Sequence, residues 1–173
     1  MHYYRWYAVY THFNEENLLR DYLLSQGYEA YLPERRFWET AGNKRRVAYE
    51  PLFKCHLFVR TTQAGLQKVK QAPGFSHLVR HGKYVATIPE SHIVKIKTIL
   101  YYYEDATSIS NNNVDGVTVA VVSGHLTGMT GILPHGEGER PVSMEIDHLG
   151  YSINVKVPME TIFQTKVPSL VSF

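Results

Sequence analysis

Two stretches decide how this chain is read: residues 5–11, RWYAVYT, and residues 51–59, PLFKCHLFV. The first is rich in aromatic and β-branched residues and bordered by polar ones, the composition of a central strand. The second holds an apolar strand over residues 57–60. Alternate residues of a strand share a face, so a regular strand cannot put Phe53, His56 and Phe58 on one side. They share a surface only if the chain kinks at Lys54-Cys55.

Between the two lie a helix and a hairpin. Asn14-Glu15-Glu16 predicts a helix start, with Asn14 as the cap and the acids favoured by the helix dipole. Leu18, Leu19, Tyr22 and Leu23 form its apolar stripe, and Gly27 ends it. Residues 28–32 read as a short strand. Residues 36–40 and 45–50 flank Ala41-Gly42-Asn43-Lys44 and predict a hairpin with a basic tip. Beyond residue 60, a short helix is expected over 64–72, stopped by Pro73-Gly74, then a strand over 76–80 and a helix over 89–103. The order β-α-β-β-β-α-β-α is an α+β pattern, not a βαβ repeat.

Residues 104–115, EDATSISNNNVD, are polar and lack apolar periodicity, and they read as a linker. After them come five short β-type runs, at 117–122, 131–133, 142–147, 151–157 and 161–163, most of them separated by glycine-containing turns. Five short strands in so few residues suggest a small barrel, stable and free to move on the linker. The expected division is therefore a mixed domain at 1–103, a linker at 104–115 and a barrel with a C-terminal tail at 116–173.

Charge separates the same two halves. The 173-residue chain carries +2 overall, but residues 1–100 hold 15 Lys+Arg and 8 Asp+Glu, and residues 101–173 hold 3 and 8. The halves thus differ as +7 and −5, which suggests two partners, the basic and aromatic half facing an anionic one. Cys55 is the single cysteine, so no intramolecular disulfide forms. With no membrane-length apolar run and no leader-like start, the expected location is the cytoplasm and no membrane is expected as a partner.

Trp6-Tyr7-Ala8-Val9-Tyr10, the run 51–59 and Pro73-Gly74-Phe75 together resemble the NusG N-terminal domain. Val119-Ala120-Val121-Val122-Ser123-Gly124, followed by Gly128 and Gly131, resembles the KOW motif of NusG C-terminal domains. The likeness runs from about Arg5 to Phe163. One departure stands out: Lys54-Cys55-His56 replaces the family's usual Pro-Gly-Tyr. Residues 50–53 and 75–80 look more like the specialised RfaH/UpxY-like antiterminators than a general NusG. The resemblance implies an α/β sandwich followed by an SH3-like KOW β-barrel, and a monomeric transcription elongation or antitermination factor. It would be operon-specific, for capsule or other polysaccharide genes. The alternatives are a general NusG factor and a ribosome-associated KOW protein that binds RNA. The last would want a basic second half, which −5 argues against.

The resemblance also implies roles for single residues. Polymerase contact falls on Tyr10, Phe53, His56, Phe58 and Leu78, with Gln67 and Lys68 near a bridging loop. Non-template DNA falls near His12, Phe13 and Arg20, where an aromatic can stack on a base and arginine can pair with phosphate. Arg45 and Arg46 on the hairpin could reach upstream phosphates. A small-subunit ribosomal protein or Rho would meet the second domain at Leu126 or Leu149.

No catalytic constellation is expected, and no cofactor or metal. His77 and His81 flank a strand-like stretch, where helical i,i+4 pairing does not apply. There is no HExxH and no Cys-His zinc pattern, and Gly124, Gly128 and Gly131 form no nucleotide-binding fingerprint. A Cys55–His nucleophile pair is chemically conceivable, but a lone cysteine on a strand is more often simply packed.

Overall fold

The aromatic run that opens the chain becomes the middle strand of its first sheet. The computed structural model describes residues 3–165. In chain order, its first half contains β1 (Arg5–Thr11), α1 (Glu16–Ser25), β2 (Glu29–Tyr31), β3 (Glu34–Ala41), β4 (Lys44–Pro51), β5 (His56–Thr61) and α2 (Leu66–Val69). There follow β6 (Phe75–Leu78), β7 (Arg80–His81), β8 (Tyr84–Val85), β9 (Thr87–Ile88) and α3 (Glu90–Tyr102). The second half contains β10 (Thr107–Ser110), β11 (Val117–Val121), β12 (Thr130–Leu133), β13 (Pro141–Ile146), β14 (Tyr151–Lys156) and β15 (Ile162–Gln164).

The first sheet has the order β2-β5-β1-β6, and β9 also pairs with β1. All these pairings are antiparallel. Pleating sends Tyr7 and Val9 to one face, where Leu19 and Leu23 of α1 and Leu66 and Val69 of α2 cover them. It sends Trp6, Ala8 and Phe58 to the other, where Ile93, Ile96 and Ile99 of α3 are fully buried. Each of those isoleucines contributes roughly 1.5–3 kcal/mol by leaving water. The hairpin β3–β4 is a separate two-stranded ribbon in continuous register from Glu34↔Pro51 to Ala41↔Lys44.

The second sheet is a six-stranded antiparallel path, β10-β14-β13-β12-β11-β15. The fold is thus mixed α/β, with mostly antiparallel sheets and three α-helices among the described residues.

Several expectations are corrected. Residues 104–115 are not a free tether, because Thr107–Ser110 pairs with Tyr151–Asn154 as an edge strand of the second sheet. Asn111 fixes the turn that follows: its amide donates to Glu145 Oε1 (3.0 Å) and its carbonyl oxygen accepts from Ser152 Oγ (2.7 Å). Nor is the second sheet free of the first. Val119, Met144 and Ile153 join Trp6, Phe58 and Ile93 in one buried cluster. Asn14 is no cap; its φ is 59°, and Glu15 occupies the cap position. Leu18 and Tyr22 face solvent, so the α1 stripe narrows to Leu19 and Leu23. The expected C-terminal tail lies largely outside the described residues.

Candidate functional site

Register across three strands builds the centre of the candidate surface. Tyr10 of β1 pairs with His56 of β5 on one side and His77 of β6 on the other. The three rings therefore stand in a row, with centroids 4.4 Å apart for Tyr10–His56 and 4.3 Å for the stacked Tyr10–His77 pair. Phe53 and Phe58 continue this face, edge to face at 6.4 Å.

The required kink lies at Lys54-Cys55. Both residues form a turn before β5 begins, and Cys55 adopts φ 60°. That turn brings Phe53, which lies outside the strand, onto the face of Phe58 and Tyr10. Two hydrogen bonds hold it. The Cys55 N–H donates to Glu16 Oε1 at 2.7 Å, and the Cys55 carbonyl accepts from the Thr11 N–H at 2.9 Å. Glu16 is buried, so the first turn of α1 serves as a clamp on the kink.

Burial sets the electrostatics of the row. Desolvation pushes the Tyr10 hydroxyl above its ordinary pKa, with the Tyr151 hydroxyl adding in the same direction. Burial holds His56 below the usual histidine value; the Lys54 carbonyl, which accepts from its Nδ1 at 2.7 Å, opposes this, and His77 reinforces it. His56 is therefore a neutral ring with the proton on Nδ1, and its buried Nε2 has no hydrogen-bond partner among the described residues.

The second sheet covers this face. The Tyr151 ring lies 5.4 Å from His56 and 6.0 Å from Phe53. Phe53 is 2% exposed and Phe58 0%. Around them, His81 meets His148 (4.4 Å) and Tyr102 stacks on His125 (3.6 Å). His92 Nδ1 accepts from the Asp147 N–H at 2.9 Å, and Lys95 Nζ donates to the Glu145 carbonyl at 3.3 Å.

Other expected residues lie elsewhere. Leu78 does not join the row; it pairs with Val9 and packs on the opposite face, with α1 and α2. His77, its neighbour, takes the place, and strict alternation along β6 was the signal that could have found it. Gln67 and Lys68 are exposed on α2, also on that opposite side. His12 and Phe13 are exposed before α1, Phe13 at 77%, and Arg20 pairs with Asp21 (2.9 Å) and reaches Glu34 at the root of β3 (3.6 Å). Arg46 is bound to Glu39, whereas Arg45 lies over the Trp38 ring at 5.5 Å. Leu126 and Leu149, expected as exposed partner contacts, are buried at 0% and 3% and belong to the shared core. Among the described residues, no group of three or more His, Cys, Asp or Glu could hold a metal ion.

A strand-centred sheet with an aromatic face carries a basic ribbon at its side and a second sheet docked over it. The family model described as transcription termination factor nusG matches residues 4–97, and the chain belongs to the NusG family. Among solved structures, "Domain interaction in Thermotoga maritima NusG" matches with a TM-score of 0.58 at 17% identity, covering 95% of this chain and 98% of that one. The "MjSpt4:Spt5 complex conformation A" matches at 14% identity with a TM-score of 0.31, covering 92% and 97%. Among curated proteins none matches.

Proposed function

We propose that this chain is a transcription elongation factor that binds RNA polymerase through the Tyr10–His56–His77 face of its first sheet. The observation that carries the reading is the family match over residues 4–97, a span that contains the whole first sheet and every residue of that face. The NusG family is one of transcription factors without an enzymatic activity, in keeping with an adaptor role. In this reading residues 1–103 are the polymerase-binding unit. Residues 116–173 are a KOW-type unit for a second protein, a small-subunit ribosomal protein or Rho.

Because Phe53 and Phe58 lie beneath the second sheet, the face meets polymerase only after that sheet lifts. Contact energy available only in the lifted state shifts the population toward it. His12, Phe13 and Arg20 then meet the non-template strand, and Gln67 and Lys68 the opposite pincer. Suppression of pausing, specific to polysaccharide operons, is the finer form of the reading. The resemblance of residues 50–53 and 75–80 to specialised antiterminators supports it.

The test is capture of purified core RNA polymerase by the full chain. Wild type binds; Tyr10→Ala and His77→Ala, partly or wholly exposed positions, weaken capture while the fold persists by circular dichroism. Absence of polymerase binding by both the wild type and the Leu149→Asp variant, whose seam between the sheets is loosened, overturns the reading. Transcript profiles along long operons after gene deletion separate a specialised factor from a general one.

A further inference from the structure

The hairpin β3–β4 has two unlike faces. On one, its arginines are neutralised within the ribbon: Arg35 pairs with Glu50 and Arg46 with Glu39. By register, the other face carries Arg36, Trp38 and Thr40 of β3 beside Tyr49, Val47 and Arg45 of β4. Past its root at Glu34, this face has no carboxylate of the hairpin. Arg36 pairs with Glu104 beyond α3, while no ion pair engages Arg45 among the described residues. Trp38 is 53% exposed and Tyr49 63%, and Val47 between them is exposed as well.

A two-stranded ribbon has no core beneath it to reward aromatic side chains, and a ring left half in water forgoes its burial energy. Here two rings sit diagonally across the pair, about 7–8 Å apart between backbones, within reach of one another's partner. Arg45 lies over Trp38 and fixes a cation beside the ring. Exposed rings next to Arg45, which no ion pair neutralises among the described residues, match the two parts of a nucleotide, a π-faced base and an anionic phosphate.

We propose that the Trp38–Arg45 face of the hairpin is a stacking platform for an unpaired base of single-stranded DNA, Arg45 meeting the adjacent phosphate. The proposal rests on the function above only for the source of the strand, the opened non-template strand. The Arg20–Glu34 pair (3.6 Å) ties α1 to the hairpin root. Arg46 faces away and takes no part.

The experiment is fluorescence anisotropy of a labelled oligo-dT with the full chain, alongside oligo-rU and a duplex of the same length. Trp38→Ala weakens oligo-dT binding about 5- to 150-fold, the range of base–aromatic stacking, while Trp38→Phe retains most of it. Arg45→Ala weakens binding and lowers the salt slope by roughly 0.7, one phosphate on a single strand. Arg46→Ala binds as wild type. Trp38 fluorescence is quenched by the oligonucleotide, since Trp6, the other tryptophan, is 3% exposed and bonded to Glu90. No binding by wild type at low salt, wild-type affinity in Trp38→Ala, or a preference for oligo-rU or duplex overturns the proposal. Polymerase capture is scored separately: Trp38-dependent binding without capture sinks the polymerase reading alone, and capture without it sinks the platform alone.

Discussion

Cys55 shows how a single residue sets the candidate face. A non-glycine residue at φ 60° costs roughly 1–2 kcal/mol, and the bonds from Glu16 and Thr11 offset that cost. Removing the buried acceptor leaves the Cys55 N–H unsatisfied, so Glu16→Ala is expected to lower unfolding free energy by about 1–3 kcal/mol in urea titration. Cys55→Gly, which relieves the strain, is expected to fall within about 1 kcal/mol of wild type. An unchanged urea midpoint in Glu16→Ala would remove the clamp from the account. The kink itself was legible, because alternation alone cannot align Phe53, His56 and Phe58. Its clamp was not: Glu16 looked like a helix-dipole acid, and only the fold brings residue 16 to residue 55.

At the scale of elements, strands with strong apolar content were readable and edge strands were not. Residues 107–110 read Thr-Ser-Ile-Ser and carry one large apolar residue, so nothing in their pattern marks a strand. What makes them one is backbone pairing with β14 and the two bonds of Asn111. Asn111→Ala is expected to cost about 1 kcal/mol and to speed hydrogen exchange of the β10 amides. Gly131 was read as the start of a β-type run, and it lies in β12, packed against the neighbouring strand. A Cβ there would meet Val142 Cγ1 at 2.5 Å and the Ser143 carbonyl at 2.7 Å. Backbone cannot swing aside as a side chain can, so Gly131→Ala is expected to destabilise by about 1–3 kcal/mol, read from the thermal midpoint. The hairpin was legible as a hairpin. Which arginine faces the aromatic side follows only from register, and register separates Arg45 from Arg46.

At the scale of the whole molecule, charge asymmetry between the halves was legible, and their docking was not, since burial of Leu126 and Leu149 depends on surfaces far apart in sequence. The seam concentrates histidine: His56, His81, His92, His125 and His148 all meet a ring or backbone group of the other half. Burial lowers His92 foremost, Lys95 and His148 add to this, and Asp147 and Glu145 oppose it; His56 is lowered chiefly by burial too. A histidine whose folded pKa lies below its unfolded value takes up a proton more readily once the seam opens. The docked state is therefore fully favoured above the ordinary histidine value near 6.5 and loses stability as pH falls below it. Lys95, at the same seam, is lowered by burial as well, with Asp147 and Glu145 opposing. The second sheet is accordingly expected to loosen from the first between about pH 6.5 and 5, seen as a rise in radius of gyration by small-angle scattering and faster proteolysis near residues 104–106. His92→Asn, which keeps an acceptor near the Asp147 N–H but cannot take the proton, should flatten part of that response. Equal dimensions and equal cleavage at pH 7.5 and pH 5.5 would show that the seam's histidines do not govern docking.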